Sequence, residues 1–271
     1  MLQKVDVNDT ALNQSKFMTD EVQYNLIHLI CGSGTSRCLK TVDDKLIFAQ
    51  SEGHNGWLWL NHDIAEDRKD ILLHELVDAI EGTGLPGVSG DPSVVERFVK
   101  IYAEKYNFHS HPHMAMESYY CPEVKKPLDV RGTMRQATRG DVAIVADFLA
   151  GFSEGAYGVT VDPASQIPAS EWYIDNGGLY LWIVNEEPVS MANIAHRSPR
   201  HARINAVYTP SAFRKRGYAS AVVAELCWIL QFEGLVAMLY ADLKNPDSNK
   251  VYQNIGFVKS GKIADIKFKA Q

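Results

Sequence analysis

A cluster of three basic residues beside a lone glycine lies at residues 213–220, FRKRGYAS. Apolar residues follow at helical spacing from Ala219 to Leu230, so this basic turn is predicted to open a helix. The N-terminus of a helix presents unpaired backbone N–H groups and a positive dipole end, which together bind phosphate. Gly217 allows the backbone to approach a ligand closely or to take a positive φ. Taken alone, these eight residues are more typical of a solvated basic turn than of a phosphate site.

A second stretch, NPDSNKVYQNIGF at residues 245–257, is predicted to place polar side chains along one face of a short helix. Asn245 is the expected N-cap, Pro246 the first helical residue, and Gly256 ends the helix. Residues at i, i+3 or i+4, and i+7 project along a single helix face. A thioester carrier would need hydrogen-bond partners for its amide arm and an acid near its sulfur. The residues on this face are Asn245, Ser248, Asn249 and Tyr252.

Together, the two stretches resemble the acetyl-CoA motifs of the GCN5-related N-acetyltransferases, the GNAT family. These motifs are written (Q/R)-x-x-G-x-(G/A) and N-x-x-(S/A)-x-x-x-Y-x-x-x-G-F. The second pattern matches at Asn245, Ser248, Tyr252, Gly256 and Phe257. The order of the predicted elements from about residue 131 to residue 271 also fits this fold, so the resemblance covers the C-terminal half. One departure is an extra residue between the segment Val207–Pro210 and Arg214.

The resemblance implies an α/β (α+β) acyl-CoA N-acyltransferase fold with a mixed, mostly antiparallel central sheet. Two parallel strands of that sheet, at 202–208 and 235–241, are expected to splay apart around the pantetheine arm of acetyl-CoA, the cosubstrate. The expected cofactor-binding residues are Val207, Tyr208, Thr209, Arg214, Lys215, Arg216, Gly217, Tyr218, Ala219, Ser220, Asn245, Ser248 and Asn249.

The implied chemistry is direct attack of a neutral primary amine on the thioester, without an acyl-enzyme. A backbone N–H among Val207, Tyr208 and Thr209 would stabilise the developing oxyanion. Tyr252 would protonate the departing thiolate, because a phenol with a pKa near ~10 keeps its proton at neutral pH. The candidates for the general base are Glu171, Glu186 and Glu187, with a water chain as the alternative, and Asn205 would orient substrate or water.

The first half of the chain lacks both motifs. A linker near 121–130 divides the sequence into an N-terminal α+β domain, 1–125, and a GNAT domain, 126–271. The predicted order of helices and strands in 1–125 allows a degenerate copy of the same fold, which would shape the acceptor site or mediate a homodimer. Three histidines in HSHPHM, at 109, 111 and 113, have no carboxylate or cysteine at a ligand-like spacing, so no metal site is expected.

The charge and cysteine content narrow the classes of partner. With 33 acidic and 27 basic residues, the net charge of −6 disfavours a nucleic-acid partner. The four cysteines form no C-x-x-C pair, and no run of 18 uncharged apolar residues occurs. We therefore expect a protein of the cytoplasm with reduced thiols and no membrane partner.

The sequence thus predicts an acetyl-CoA-dependent N-acetyltransferase. Its acceptor amine stays open between a small molecule, an amino acid and a protein lysine. The alternative is a non-catalytic acyl-CoA-binding sensor or assembly module. A third possibility, nucleic-acid binding through the RKR turn, predicts an affinity that falls steeply with salt.

Overall fold

The computed structural model describes residues 1–5 and 9–270, with only the backbone of residue 270. The chain forms two compact units. Unit 1 comprises Met1–Ser118, Asp242–Lys244 and Lys259–Gln271, and unit 2 comprises Tyr119–Ala241 and Asn245–Val258. This division differs from the boundary at 125/126 expected from the sequence, because the C-terminal strand pairs with a strand of the first half. No helix in the described part of the chain is long and apolar enough to cross a membrane.

Unit 1 is a mixed sheet with helices. Its elements in chain order are β1 (Leu2–Lys4), α1 (Ser15–Asp20), α2 (Leu26–Gly32), β2 (Arg37–Thr41), β3 (Leu46–Gln50), β4 (Gly56–Leu60), α3 (Glu66–Ala79), β5 (Gly87–Gly90), α4 (Pro92–Tyr106) and β6 (Phe108–Cys121), followed at the end of the chain by β12 (Val258–Ala270). The strand order is β1-β2-β3-β4-β5-β12-β6. The β4–β5 pair is parallel, whereas β1–β2, β2–β3, β3–β4 and β5–β12 are antiparallel.

Unit 2 contains the remaining elements. They are β7 (Thr133–Gln136), α5 (Val142–Tyr157), α6 (Ile167–Asp175), β8 (Leu179–Val184), β9 (Glu187–Arg197), β10 (His201–Tyr208), α7 (Tyr218–Phe232), β11 (Val236–Asp242) and α8 (Pro246–Ile255). The strand order is β11-β10-β9-β8-β7. Only the β10–β11 pair is parallel in this unit, and β7–β8, β8–β9 and β9–β10 are antiparallel. The mixed, mostly antiparallel sheet expected from the sequence is therefore confirmed.

Both halves of the chain follow one element order. A strand, two helices, three strands, a helix, a strand, a helix and a strand occur from β1 to β6 and again from β7 to β12. In each half the fourth and fifth strands form the parallel pair. This repetition confirms the hypothesis that the first half has the topology of the second, although the two halves share no cofactor motif.

The sheet of unit 2 is covered on both faces. On one face, Val222, Leu226 and Leu230 of α7 pack in a core that also contains Ile204 of β10. On the other face, α5 contributes Val145, Phe148 and Leu149 to a second core. Each fully buried leucine of this kind stabilises the fold by roughly 2 kcal/mol. The two cores fix β10 between them, and that strand carries the candidate site.

Candidate active site

The parallel strands β10 and β11 pair over only a short distance. Their register pairs are His201–Val236, Ala202–Ala237 and Arg203–Met238. Beyond these pairs, β10 continues to Tyr208 and β11 to Asp242 without further pairing between them. The strands therefore diverge after Arg203, as expected from the sequence, and the edge of β10 that faces the gap keeps backbone groups outside the ladder.

A bulge distorts β10 beside this gap. The register with β9 passes from Asn205–Asn193 to Tyr208–Met191, so β10 holds one extra residue. Ala206 has a φ of 48°, a conformation that costs a residue with a Cβ atom about 1–2 kcal/mol. A bulge leaves its extra residue unpaired and turns backbone groups out of the ladder, and strained backbone of this kind clusters at functional sites.

The three residues expected to supply the oxyanion N–H lie at different positions relative to the bulge. Val207 lies inside the bulge, whereas Tyr208 has returned to register with β9. Ser190 Oγ donates to the Tyr208 carbonyl at 2.9 Å and lies 2.8 Å from Thr209 Oγ1. These bonds tie the Tyr208 carbonyl and the Thr209 hydroxyl to β9, and the choice of the oxyanion donor among Val207, Tyr208 and Thr209 stays a prediction.

The predicted phosphate-binding turn opens α7. Gly217 is the N-cap residue with a φ of 82°, and Lys215 has a φ of 62°. A Cβ atom at position 217 would lie 2.9 Å from Val130 Cγ2, so both the backbone conformation and the available space require glycine. By helix geometry, the first-turn N–H groups have no partners within the helix and remain available to an anion. These N–H groups belong to Gly217, Tyr218, Ala219 and Ser220.

The three basic side chains of the turn have different surroundings. Arg214 Nε donates to the Thr209 carbonyl at 3.0 Å, and its guanidinium carbon lies 5.9 Å from the centre of the Tyr208 ring. Arg214 therefore fixes the turn against the end of β10. Lys215 and Arg216 are exposed and form no ion pair within the described residues, which leaves both cations available to a bound phosphate.

Helix α8 begins as expected, but its amide side chains have partners within the protein. Asn245 Oδ1 accepts a hydrogen bond from the Ser248 backbone N–H at 3.0 Å. Asn249 Nδ2 donates to the Asn245 carbonyl at 2.7 Å, and Asn249 Oδ1 accepts from the Tyr119 hydroxyl at 2.8 Å. These bonds hold the start of α8, a role that the sequence indicated only for the Asn245 cap. Binding of the carrier arm by Asn245, Ser248 and Asn249 stays a prediction.

Tyr252 lies in the core beneath α7. Its side chain is 8% exposed, and its ring contacts those of Tyr119 and Phe257 at centroid distances of 6.5 and 5.8 Å. Burial raises the pKa of the Tyr252 phenol to about 12, because an apolar environment disfavours the phenolate. The phenol is therefore protonated throughout the physiological range, which is the state that a general acid requires.

The carboxylates considered as general bases are ordinary surface groups. Glu171 accepts from Arg139 at 3.0 Å in an exposed ion pair. Glu186 lies in the turn between β8 and β9, where it and Asn185 have positive φ values of 67° and 49°. Glu187 is the exposed first residue of β9. The assignment of a base to any of the three stays a prediction.

Two functional candidates on the sheet were not found from the sequence. Arg203 lies between Ala202 and Ile204, which face the α7 core, so its side chain faces the opposite side of β10. His196 of β9 is its buried register partner. The signal for Arg203 was present as a cation within an alternating apolar strand, ARINAV. No group of three or more His, Cys, Asp or Glu side chains within residues 1–5 and 9–270 is arranged to hold a metal ion.

Comparison with known proteins places this geometry in context. Residues 147–257 match the model of the acetyltransferase (GNAT) family, a range that contains every candidate cofactor-binding residue and Tyr252. No curated protein matches the sequence.

Solved structures resemble nearly the whole chain. A Drosophila protein has a TM-score of 0.67 at 12% identity and covers 99% of this chain and 98% of its own. A GCN5-related N-acetyltransferase from Kribbella flavida has a TM-score of 0.62 at 13% identity, with 95% and 98% covered. An acetyltransferase of the GNAT family from Colwellia psychrerythraea has a TM-score of 0.59 at 12% identity, with 99% and 100% covered. At these identities the likeness shows the fold alone, and it extends over both halves of the chain.

Proposed function

We propose, for a chain whose residues 147–257 form a GNAT-family domain, that the protein is an acetyl-CoA-dependent N-acetyltransferase acting on a primary amine. The observation that carries this proposal is the divergence of β10 and β11 after Arg203. The gap has a strained bulge on β10, the open N-terminus of α7 follows that strand in the chain, and α8 carries a buried phenol. These parts meet the needs of a thioester carrier: an anion cradle, a free strand edge and an acid.

The binding of acetyl-CoA follows from the available donors. The first-turn N–H groups of α7 would donate hydrogen bonds to the pyrophosphate, with Lys215 and Arg216 adding charge-assisted hydrogen bonds. The unpaired edge of β10 would bind the extended pantetheine arm as an added strand. This arrangement leads the thioester along β10 toward the bulge.

The chemistry uses two groups of the protein. The Val207 N–H would stabilise the negative charge that develops on the thioester oxygen as the amine attacks. Tyr252 would donate a hydrogen bond and then its proton to the departing sulfur. Burial would raise the pKa of the coenzyme A thiol for the same reason that it raises the pKa of the Tyr252 phenol. In an environment without water, the difference between the two pKa values would therefore stay small enough for proton transfer.

The proposal assigns one cofactor site to each chain, although the fold repeats. Helix α3, the counterpart of α7, begins after Ala65 with Glu66 and Asp67 in its first turn, and these carboxylates would repel phosphate. Helix α4, the counterpart of α8, also starts with a cap and a proline, Asp91 and Pro92. The seventh residue after that cap is Phe98, where α8 has Tyr252, so the first half lacks the acid.

A non-catalytic acyl-CoA-binding module remains the second candidate function, since the degenerate first half demonstrates that this fold persists without the motif residues.

The four cysteines are free thiols, which supports the expectation of a reducing, cytoplasmic environment.

The test of catalysis is Tyr252→Phe, assayed by release of free thiol from acetyl-CoA over a panel of amines. General acid catalysis contributes about 10²–10⁴-fold to rates, so we expect kcat to fall by roughly 10²-fold or more while acetyl-CoA affinity changes little. Tyr102→Phe is the matched control, because Tyr102 is a buried phenol with a pKa raised by burial in unit 1. Equal turnover by Tyr252→Phe would remove Tyr252 from the mechanism, and acetyl-CoA affinity without turnover on any amine would favour the binding module.

A further inference from the structure

Arg203 is a partly buried cation at the point where the two parallel strands diverge. It is the last residue of β10 that pairs with β11, opposite Met238. Its Nε atom is buried and has no hydrogen-bond partner among the described residues. The residue as a whole is only partly buried, so part of its side chain is accessible to a ligand.

Within the described part of the chain, no carboxylate forms an ion pair with Arg203. Burial lowers the pKa of its guanidinium, and the groups that oppose this shift are the phenols of Tyr240, Tyr173 and Tyr157. Phenols are neutral near pH 7, so they supply no negative charge there. By contrast, three other arginines of unit 2 form ion pairs with carboxylates: Arg135 with Asp141, Arg139 with Glu171, and Arg197 with Glu233. A buried charge without a partner is costly, and this cost calls for a functional explanation.

Polar side chains of unit 2 lie on the same side of the sheet as Arg203. Asn205 lies two residues further along β10 on the same face, and its Oδ1 accepts from Asn193 Nδ2 at 2.8 Å. Tyr240 lies two residues beyond Met238 on β11, and so shares the face of Arg203. Tyr157, at the end of α5, is 54% exposed and borders solvent. This side of the sheet therefore offers a cation, an amide and phenols, of which the Tyr157 phenol belongs to an exposed residue.

Arg203 and Tyr252 lie on opposite sides of the unit 2 sheet. Tyr252 belongs to the core on the α7 face of the sheet, together with Ala202 and Ile204. Arg203 projects from the opposite face of the same strand, because successive side chains of a strand alternate. The Tyr252 phenol and the Arg203 guanidinium therefore lie on opposite faces of the sheet. This arrangement allows the cosubstrate and the acceptor to enter the gap from different sides.

Building on the proposed function, we infer that the acceptor is a small amine that carries a carboxylate, as a free α-amino acid does, and that Arg203 binds this carboxylate. A guanidinium binds a carboxylate through two parallel charge-assisted hydrogen bonds, and this pairing supplies the missing negative charge. A lysine side chain within a protein carries no carboxylate near its amine and would leave Arg203 unpaired. Arg203 is thus a specificity-determining residue that separates amino acids from the other amine classes.

The transfer balances with these groups alone. The C–N bond of the N-acetyl amino acid forms as the C–S bond of acetyl-CoA breaks. One proton passes from the amine to water, and one passes from Tyr252 to the sulfur, after which solvent restores the phenol.

The experiment compares matched acceptors on wild-type protein. Free alanine and phenylalanine are assayed against alaninamide and phenylalaninamide, with β-alanine and a lysine peptide blocked at both termini as further arms. Hydrogen bonds to charged groups contribute about 1.5–3 kcal/mol, so kcat/KM for the preferred amino acid should exceed that for its amide by roughly 10- to 100-fold. Arg203→Met should abolish this preference, Arg203→Lys should restore part of it, and Arg197→Met, which removes a surface arginine paired with Glu233, should leave it intact.

Two readouts do not require turnover. Arg203→Met should raise Tm, because it removes an uncompensated buried charge. Amino acids at saturation should raise the Tm of the wild-type protein but not that of Arg203→Met. Amides that react as well as the acids, or an unchanged preference in Arg203→Met, would overturn the inference. If no amine releases thiol, the proposed function fails, and the amino-acid Tm shift then tests only whether Arg203 binds an amino-acid carboxylate.

Discussion

Replacement of Gly217 by alanine tests the geometry of the phosphate-binding turn. A residue with a Cβ atom at a φ of 82° pays about 1–2 kcal/mol for the left-handed conformation. The new Cβ atom would also lie 2.9 Å from Val130 Cγ2, well inside the usual contact distance of about 3.5–4.0 Å. Relief of that overlap typically costs a further ~1 kcal/mol or more, since the branched valine side chain is stiff at χ1. We therefore expect Gly217→Ala to lower the unfolding free energy by roughly 2–3 kcal/mol.

The same substitution should weaken acetyl-CoA binding. A displaced Gly217 moves the first N–H groups of α7, which are proposed to bind the pyrophosphate. The variants Gly217→Ala, Val130→Ala and the double variant form a cycle, each measured by urea unfolding and by calorimetric titration with acetyl-CoA. The double variant keeps the φ strain but loses the overlap, so the coupling free energy between the two positions should be about 1 kcal/mol.

The two measurements separate the explanations of this glycine. A loss of stability that Val130→Ala does not reduce would mean that the φ strain alone requires glycine at position 217. Wild-type stability and wild-type affinity in Gly217→Ala would refute the reasoning, because neither the turn conformation nor the cradle would then depend on this residue.

Two further predictions concern pH. Burial raises the folded-state pKa of Tyr252 from near 10 to about 12. The unfolding free energy should therefore be unaffected below pH 10 and should fall by up to ~2.7 kcal/mol as pH rises toward 12. The Tyr252→Phe variant, measured by urea unfolding, should lack this loss. The pKa of Asp141 is lowered to about 2, first by the Arg135 guanidinium and then by the Thr138 donors, so the stability it contributes is complete above pH 4 and disappears as pH falls toward 2. Asp141→Asn should lower the unfolding free energy at pH 7 by about 2 kcal/mol and flatten its acid dependence, and an unchanged acid dependence would contradict the assignment.

The helices of the second half that carry the candidate site could be predicted from residues that lie close together in the sequence. The cap and first-turn proline at Asn245 and Pro246 predict the start of α8, and apolar periodicity after Gly217 predicts α7. Both features depend on residues within one or two helical turns, where composition and conformation are directly linked.

Long-range features were not accessible in the same way. The surroundings of Arg203 come from Tyr157, Tyr173 and Tyr240, which lie on three different elements, so only the folded chain brings them together. The bulge at Ala206 places a residue with a Cβ atom at a positive φ, contrary to its local preference. The pairing of β12 with β5 joins the C-terminal strand to a strand of the first half, and no local pattern predicts it.

The repeated topology separates the fold from the site. Both halves have the same order of elements, yet only the second has a basic turn before its long helix and a tyrosine at the seventh position after the cap of the following helix. The acidic start of α3 and the phenylalanine at position 98 show that the fold requires apolar periodicity and caps, whereas the cofactor site requires a few additional side chains.

Calorimetric titration of the full chain with acetyl-CoA tests the central claim most directly, with Gly217→Glu and Ala65→Glu measured alongside the wild type. Ala65 caps α3, the counterpart helix in the first half, so its glutamate variant is the matched control for added charge at a helix start. We predict one molecule bound per chain, loss of binding in Gly217→Glu and unchanged binding in Ala65→Glu. Absence of binding to the wild type, or equal affinity in Gly217→Glu, would contradict the assignment of the cofactor site to the start of α7.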